Sequence, residues 1–257
     1  CRQERIGVAI ADGISRSTGG KQIGVFAMQG GPGAENSFPG AAQSFADNVP
    51  VLLIPGGESL NRSFISPNFV STNNYSNVTK WLAQVNDINR LPQILKRAFY
   101  ALKTGKPGPV LIEIPADIWG QNLNELNYDP VKKNLVRPDQ SETKEIADVI
   151  INAKNPILYT GQGIMYSDAE EELLKFAELL NIPVMTTMPG KSSFPENHAL
   201  SLGSSAVSTT KMIHHFLNKS DVVIAIGTSL TRTPYGRDIP EGKIIIHSTN
   251  DPFVINK

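Results

Sequence analysis

The sequence predicts an α/β protein of two domains, each a mainly parallel sheet held between two layers of helices. Three observations predict this. Short apolar runs rich in β-branched residues, such as Val51–Ile54, Val110–Ile114 and Asp221–Ile226, alternate with longer stretches of helical period, the pattern of parallel strands covered on both faces. Ile118–Gln140 mixes Asn, Pro, Lys and Asp with few apolar anchors and reads as an interdomain linker. With 257 residues and 27.9 kDa, the chain is also long enough for two cores. The domains are therefore expected at 1–118 and 141–257, joined by a linker at 119–140.

The first element is a helix over Cys1–Thr18. Ile6, Val8, Ala9, Ile10 and Ile14 give it an apolar stripe, and Gly7, Ala9, Ala11 and Gly13 allow close packing, so it should be largely buried. Ile23–Ala27 is a short continuous apolar run bounded by glycine turns, as expected of an interior parallel strand. Gly31-Pro32-Gly33 then turns the chain into a helix over Ala34–Asn48, a turn in which backbone can approach a ligand closely. A strand follows at Pro50–Ile54. Pro55–Ser76 is a long aperiodic connection whose Phe64, Ile65, Phe69 and Tyr75 are expected to pin it to the body. Order resumes at Val78–Trp81, a helix runs through Leu91–Leu102, and Val110–Ile114 is a buried strand.

The second half opens on a helix with Ser141 as candidate N-cap and Ile146, Val149 and Ile150 as its core stripe. Strands at Pro156–Thr160, Pro183–Thr186, Asp221–Ile226 and Lys243–His247 alternate with helices near Ser167–Leu180 and Thr209–Leu217. Gly161-Gln162-Gly163 follows a strand, but Tyr166 stands where a dinucleotide fingerprint needs its third glycine. Tight turn and phosphate contact both remain open readings of it.

Lys+Arg 24 balances Asp+Glu 24, so no overall field favours nucleic acid, membrane or acidic substrates, and a small-molecule partner is expected. A single cysteine, Cys1, allows no internal disulfide. No run of about 18 apolar residues and no basic-apolar leader occurs, and a cytoplasmic protein is expected. The four histidines, His198, His214, His215 and His247, lack the spacing of a metal cage; the adjacent pair is expected to point its rings to different faces of a helix.

Arg2-Gln3-Glu4-Arg5, Ala11-Asp12-Gly13, Thr18-Gly19-Gly20-Lys21, Gly31-Pro32-Gly33-Ala34-Glu35-Asn36 and Ala46-Asp47-Asn48-Val49-Pro50-Val51 form an ordered series. It resembles the pyrimidine-binding domain of thiamine-diphosphate-dependent enzymes similar to acetolactate synthase. Pro183–Thr187, Gly190–Glu196, Ile226-Gly227-Thr228 and His247–Pro252 resemble the Rossmann-like central domain of the same family, so the likeness extends over nearly the whole chain. The resemblance implies that Glu4 is the glutamate that hydrogen-bonds the cofactor's aminopyrimidine nitrogen, and that Gln29, Gly30, Gly31, Pro32, Gly33 and Asn36 lie at the cofactor. It also implies Lys80 at the substrate entrance, although the residue by itself reads equally as a solvated lysine. Glu4 alone would be an exposed acid near a helix N-terminus; with the matched series around it, the catalytic role is the better reading.

The family activity so implied is carboligase, lyase or decarboxylase chemistry on 2-oxo acids. Only Asp or Glu offers an anionic acceptor to a ring nitrogen, which is what the cofactor's activation needs. The loop after Ile54 lacks the Phe-Gln-Glu element of acetolactate synthase, so the substrate stays open. The absence of histidine from the first domain disfavours the pyruvate-decarboxylase branch. Ser204-Ser205-Ala206 and Ser229-Leu230-Thr231-Arg232 replace the motifs of flavin-binding relatives, so FAD is not expected. No metal ligand is assigned in this chain. In the family, the magnesium and diphosphate site lies on a C-terminal domain expected beyond Lys257, contributed by a partner subunit of a homodimer or homotetramer. The 257 residues alone are expected to self-associate and to be inactive. A nucleotide-binding module without carbon–carbon chemistry and a non-catalytic structural relative are the alternative classes.

Overall fold

The computed structural model describes residues 1–123, 125, 127–132, 134 and 136–255. It divides into two compact units, Cys1–Leu135 and Val136–Lys257. Asn124, Leu126, Lys133 and Leu135, within the expected linker, and the terminal Asn256 and Lys257 lie outside the described residues.

The first unit is built in the order α1 (Glu4–Ser17), β1 (Gly24–Met28), α2 (Pro32–Ala46), β2 (Val51–Gly57), α3 (Ser71–Asn74), β3 (Trp81–Gln84), α4 (Leu91–Lys103), β4 (Val110–Pro115) and α5 (Ala116–Trp119). All strand pairs are parallel, in the order β1-β2-β4-β3. Successive side chains of a strand point to opposite faces, and the central strands fill two cores in this way. Val51, Leu53 and Leu111 join Val8, Ala11, Ala34 and Ala41 of α1 and α2 on one face. Leu52, Val110 and Ile112 join Ile94, Ala98 and Leu102 of α4 on the other. The unit is thus a three-layer α/β fold, as the alternation predicts.

Two expectations are corrected. The first apolar run is an edge strand rather than an interior one: among the described residues β1 has β2 as its one neighbour, and Val25 is 51% exposed. The first helix is buried on one side only. Gly7, Val8, Ala11 and Ser15 face the core, whereas Ile6, Ile10 and Ile14 form an exposed stripe at i, i+4 and i+8. Ser15 ties the layers together: its hydroxyl donates to the Pro50 carbonyl at 2.5 Å and accepts from the Gly24 amide at 2.8 Å.

The long connection after β2 is pinned chiefly through Tyr75. Its ring is fully buried and meets Phe38 and Phe69 edge-on at centroid distances of 5.2 and 6.4 Å. Phe64 and Ile65 are exposed and pin nothing. The Tyr75 hydroxyl donates to the Ala34 carbonyl at 2.6 Å and lies 2.7 Å from Ser37 Oγ, locking the connection to the first turns of α2. Burial pushes this phenol up to about 12. The raised value means that stability is complete below the ordinary tyrosine range near 10 and falls as pH rises from there through about 12, since the unfolded chain ionises first. Tyr75→Phe should cost about 1 kcal/mol at neutral pH, because it removes one hydrogen bond to the Ala34 carbonyl, which keeps the Ser37 hydroxyl as donor at 2.9 Å, and it should flatten the alkaline limb. Urea unfolding of both proteins at neutral and alkaline pH checks both effects.

The second unit runs α6 (Gln140–Asn152), β5 (Pro156–Thr160), α7 (Gly163–Ser167), α8 (Glu170–Leu180), β6 (Val184–Thr187), β7 (Ser201–Ser205), α9 (Lys211–Lys219), β8 (Val222–Ile226) and β9 (Ile244–Ser248). Its five strands are parallel in the order β7-β6-β5-β8-β9. Leu158, Val184, Val222 and Ile224 face one core with Leu173, Ala177 and Phe194. Ile157, Tyr159, Met185 and Val223 face the other with Ile213 and Leu217 of α9. The N-cap of α6 is Asp139, whose carboxylate accepts from the Ser141 amide at 2.7 Å; Ser141 itself lies inside the helix. β7 is a strand that the sequence reading did not contain.

Candidate functional site

Glu4 lies in the first turn of α1, and Gln29–Gly33 joins the end of β1 to the start of α2. α1 and β1 are consecutive and packed on each other, so the start of the helix comes back beside the end of the strand. There Asn36 Nδ2 donates to Glu4 Oε2 at 2.7 Å. A Cβ placed on Gly33 would stand 3.6 Å from Glu4 Oε1 and 3.0 Å from Gln29 Cβ, so glycine keeps open the space beside the carboxylate. Gly31 caps α2 with φ 60°, in the left-handed region that glycine adopts without strain. A Cβ on Gly30 would come within 2.5 Å of the Gly56 carbonyl, so the loop is seated against the end of β2. Gln29 and Pro32 are exposed. The structure therefore brings Glu4, the Gln29–Gly33 loop and Asn36 to one place, at the carboxyl ends of the strands where open α/β sheets bind ligands.

The Asn36 amide, and after it the Glu4 backbone N–H, hold the Glu4 carboxyl below the ordinary carboxylate range. An ionised acceptor with one oxygen fixed by Asn36 and the other beside a glycine suits an N–H donor presented from solvent. Asn36→Ala should move the Glu4 titration upward, towards the ordinary value, without unfolding the unit. A carboxyl carbon NMR titration reads this directly, and an unmoved midpoint would disprove the coupling.

Lys80 does not open onto this place. Its ammonium donates to the carbonyls of Ala101, at 2.6 Å, and Thr104, closing the C-terminal end of α4, and burial lowers its pKa. The residue is exposed, with its ammonium tied to the helix end. Sequence reasoning also passed over Glu113, which is 2% exposed at the end of β4. Its carboxylate accepts from the Thr72 amide at 2.8 Å and from Gln84 Nε2 at 3.1 Å, tying the long connection to the sheet. A lone acid in an apolar run was the signal for it.

In the second unit the Gly161-Gln162-Gly163 turn proves to be a packing turn. Gly161 N–H donates to the Ile226 carbonyl and Gly163 N–H to the Gly227 carbonyl, both at 2.9 Å, so neither amide is free to cradle a phosphate. The histidines are spread out: His198 meets Glu178 at 3.2 Å, and His247 Nε2 lies 2.8 Å from the Thr228 carbonyl. His214 and His215 both border one depression on α9; the His214 ring meets Arg237 and Asn218, and the His215 ring meets Phe216 edge-on. Among the described residues no group of three or more His, Cys, Asp or Glu is placed to hold a metal ion, and no helix is long and apolar enough to cross a membrane.

The profile of the thiamine pyrophosphate enzyme N-terminal TPP binding domain matches residues 1–68, and that of the thiamine pyrophosphate enzyme central domain matches residues 143–257. The chain belongs to the thiamine pyrophosphate enzyme family. It is 32% identical over 273 residues to the acetolactate synthase large subunit of Buchnera aphidicola subsp. Schizaphis graminum, covering 100% of this chain and 46% of the relative. It is 33% identical over 268 residues to the acetolactate synthase large subunit of Corynebacterium glutamicum, covering 96% of this chain and 40% of the relative. The benzoylformate decarboxylase structure from Polynucleobacter necessarius superposes with a TM-score of 0.84 at 25% identity, over 99% of this chain and 49% of that one. The chain thus spans about half the length of the relatives it matches. Within this family frame, Glu4 and its loop fall inside the segment matched as TPP binding.

Proposed function

We propose that this chain is the pyrimidine-binding and central part of a thiamine-diphosphate-dependent enzyme that makes or breaks a carbon–carbon bond next to the carbonyl of a 2-oxo acid. The observation that carries the reading is the Glu4 carboxylate, fixed by Asn36 beside the Gln29–Gly33 loop. The residues fit the cofactor's pyrimidine: an ionised acceptor, open space kept by Gly33, and backbone able to approach at Gly30 and Gly31. When bound, thiamine diphosphate supplies the stabilised carbanion on which such chemistry depends.

The chain's own part is binding, orientation and charge. Glu4 accepts an N–H from the ring laid against it and, being anionic, favours the protonated state of that nitrogen. Asn36 holds one carboxylate oxygen so that the other faces the ligand, and the glycines exclude side chains that would compete with it. The relatives, acetolactate synthases and a benzoylformate decarboxylase by name, support carboligation and decarboxylation as the candidate outcomes. Magnesium, held with the diphosphate by a further domain, and a homodimer or homotetramer that presents that domain across an interface, complete the proposal. FAD has no part in it, since Ser204–Ala206 and Ser229–Arg232 stand where flavin-binding relatives differ.

Assay of the complete gene product tests the proposal. Consumption of pyruvate or benzoylformate that requires added thiamine diphosphate and magnesium, from a preparation without flavin absorbance, is the expected result. A yellow preparation would remove the FAD statement, and no turnover across a panel of 2-oxo acids would remove the activity.

A further inference from the structure

A second feature belongs to the second unit. Along the outer side of α9 lies a depression of about 650 Å³. Its lining carries Lys211, Lys219, Arg237, His214 and His215, and not one Asp or Glu. In a chain whose acids and bases balance, this is a local excess of positive charge. Among the described residues neither lysine nor Arg237 pairs with a carboxylate; the acid next in sequence, Asp238, lies 3.9 Å from Arg232 instead.

A basic helix face is ordinarily a solvated one, and two features of this one argue otherwise. It is concave, and its walls come from separate parts of the chain, because Arg237 reaches it from the segment between β8 and β9 and donates to His214 Nδ1 at 2.6 Å. The planar fork of Arg237 is thereby held in place rather than left free in water. Finally, the groups are spaced along a line. Lys211 and Lys219 are eight residues apart, about 12 Å along the helix at 1.5 Å per residue, and His215 lies midway. A single small anion would reach one end of such a row; an elongated one would engage most of it.

We propose that this depression is a binding site for a phosphate-bearing small molecule, with Arg237 as the bidentate anchor and Lys211, His215 and Lys219 distributed along its length. The proposal does not rest on the thiamine-diphosphate reading, since none of these residues belongs to the Glu4 site. It also differs from a dinucleotide crevice, whose glycine turn is here consumed in packing.

The histidines supply the test. Ring-proton NMR spectra of the 257-residue chain would be recorded during titration with sodium chloride, pyrophosphate and ADP. The expected result is a saturable shift of His214 and His215 with pyrophosphate or ADP, with His198 and His247 unmoved and chloride without effect; the tighter of the two ligands identifies whether free phosphate or a nucleotide is preferred. Arg237→Gln should weaken binding by about tenfold, the scale of one charged hydrogen bond, while the unchanged His198 and His247 signals report an intact fold. No saturable shift at millimolar ligand, an equal shift of all four histidines, or undiminished affinity of Arg237→Gln would each overturn the assignment.

Discussion

Glu4→Gln in the complete enzyme should lower kcat by about 10²–10⁴-fold, the usual contribution of a positioned proton-transfer group. The amide keeps the size of the carboxylate and can still meet Asn36, so the loop and the helix start should stay in place. What it lacks is charge. A neutral group accepts a hydrogen bond from a protonated ring nitrogen but does not favour that protonation, so binding should change little while the rate falls. Cofactor affinity, followed by tryptophan fluorescence, and turnover, followed by 2-oxo acid consumption, separate the two. Glu4→Asp should retain more activity than Glu4→Gln although it is shorter, because it retains the anion. Wild-type turnover in Glu4→Gln would remove Glu4 from the chemistry, while lost affinity with unchanged kcat would make it a binding residue only.

Much of this fold is legible because strand and helix leave different periods in a sequence. Val110–Pro115 and Val222–Ile226 are dense in β-branched residues, and the structure makes both strands. β7, by contrast, is Ser-Leu-Gly-Ser-Ser, with no β-branched residue and one fully apolar position; only its pairing with β6 makes it a strand. Edge and interior positions read alike as well, since exposure of Val25 is decided by which strands lie beside β1 and not by its own run.

The site was legible to a different extent. Glu4 and Asn36 are 32 residues apart and nothing local joins them; the family resemblance implies a shared site for both, and the fold shows the hydrogen bond. Lys80 and Glu113 were not legible in the same way. Their partners lie 21 to 41 residues away in sequence, and the parallel crossovers alone bring them together. Tyr75 is similar, an aromatic in an aperiodic stretch that becomes the buried anchor of the α2 start through Ala34, 41 residues away. Long-range polar partners of this kind leave no periodic trace.

Gly161→Ala should be the most damaging small change in the second unit, and its effect should be one of stability rather than ligand binding. A Cβ at residue 161 would sit 2.3 Å from the Gly227 carbonyl oxygen and 2.7 Å from Thr228 Cα. Both are backbone atoms, which cannot swing aside as a side-chain end can. The residues they belong to are themselves held, Gly227 by the bond from its N–H to the Ser248 carbonyl at 2.9 Å and the turn by the Gly163 N–H to the Gly227 carbonyl. Relief of the clash therefore requires the ends of β5 and β8 to part, exposing apolar surface near Ile164 and Ile226 and breaking at least one of these bonds. Overpacking of this sort costs about 3 kcal/mol, which in a unit of this size corresponds to a fall in Tm of roughly 10 °C. Thermal unfolding followed by circular dichroism, without any added nucleotide, measures it. If the turn were instead a phosphate cradle with slack in the free protein, Gly161→Ala would leave the Tm unchanged and lower only the affinity for a nucleotide.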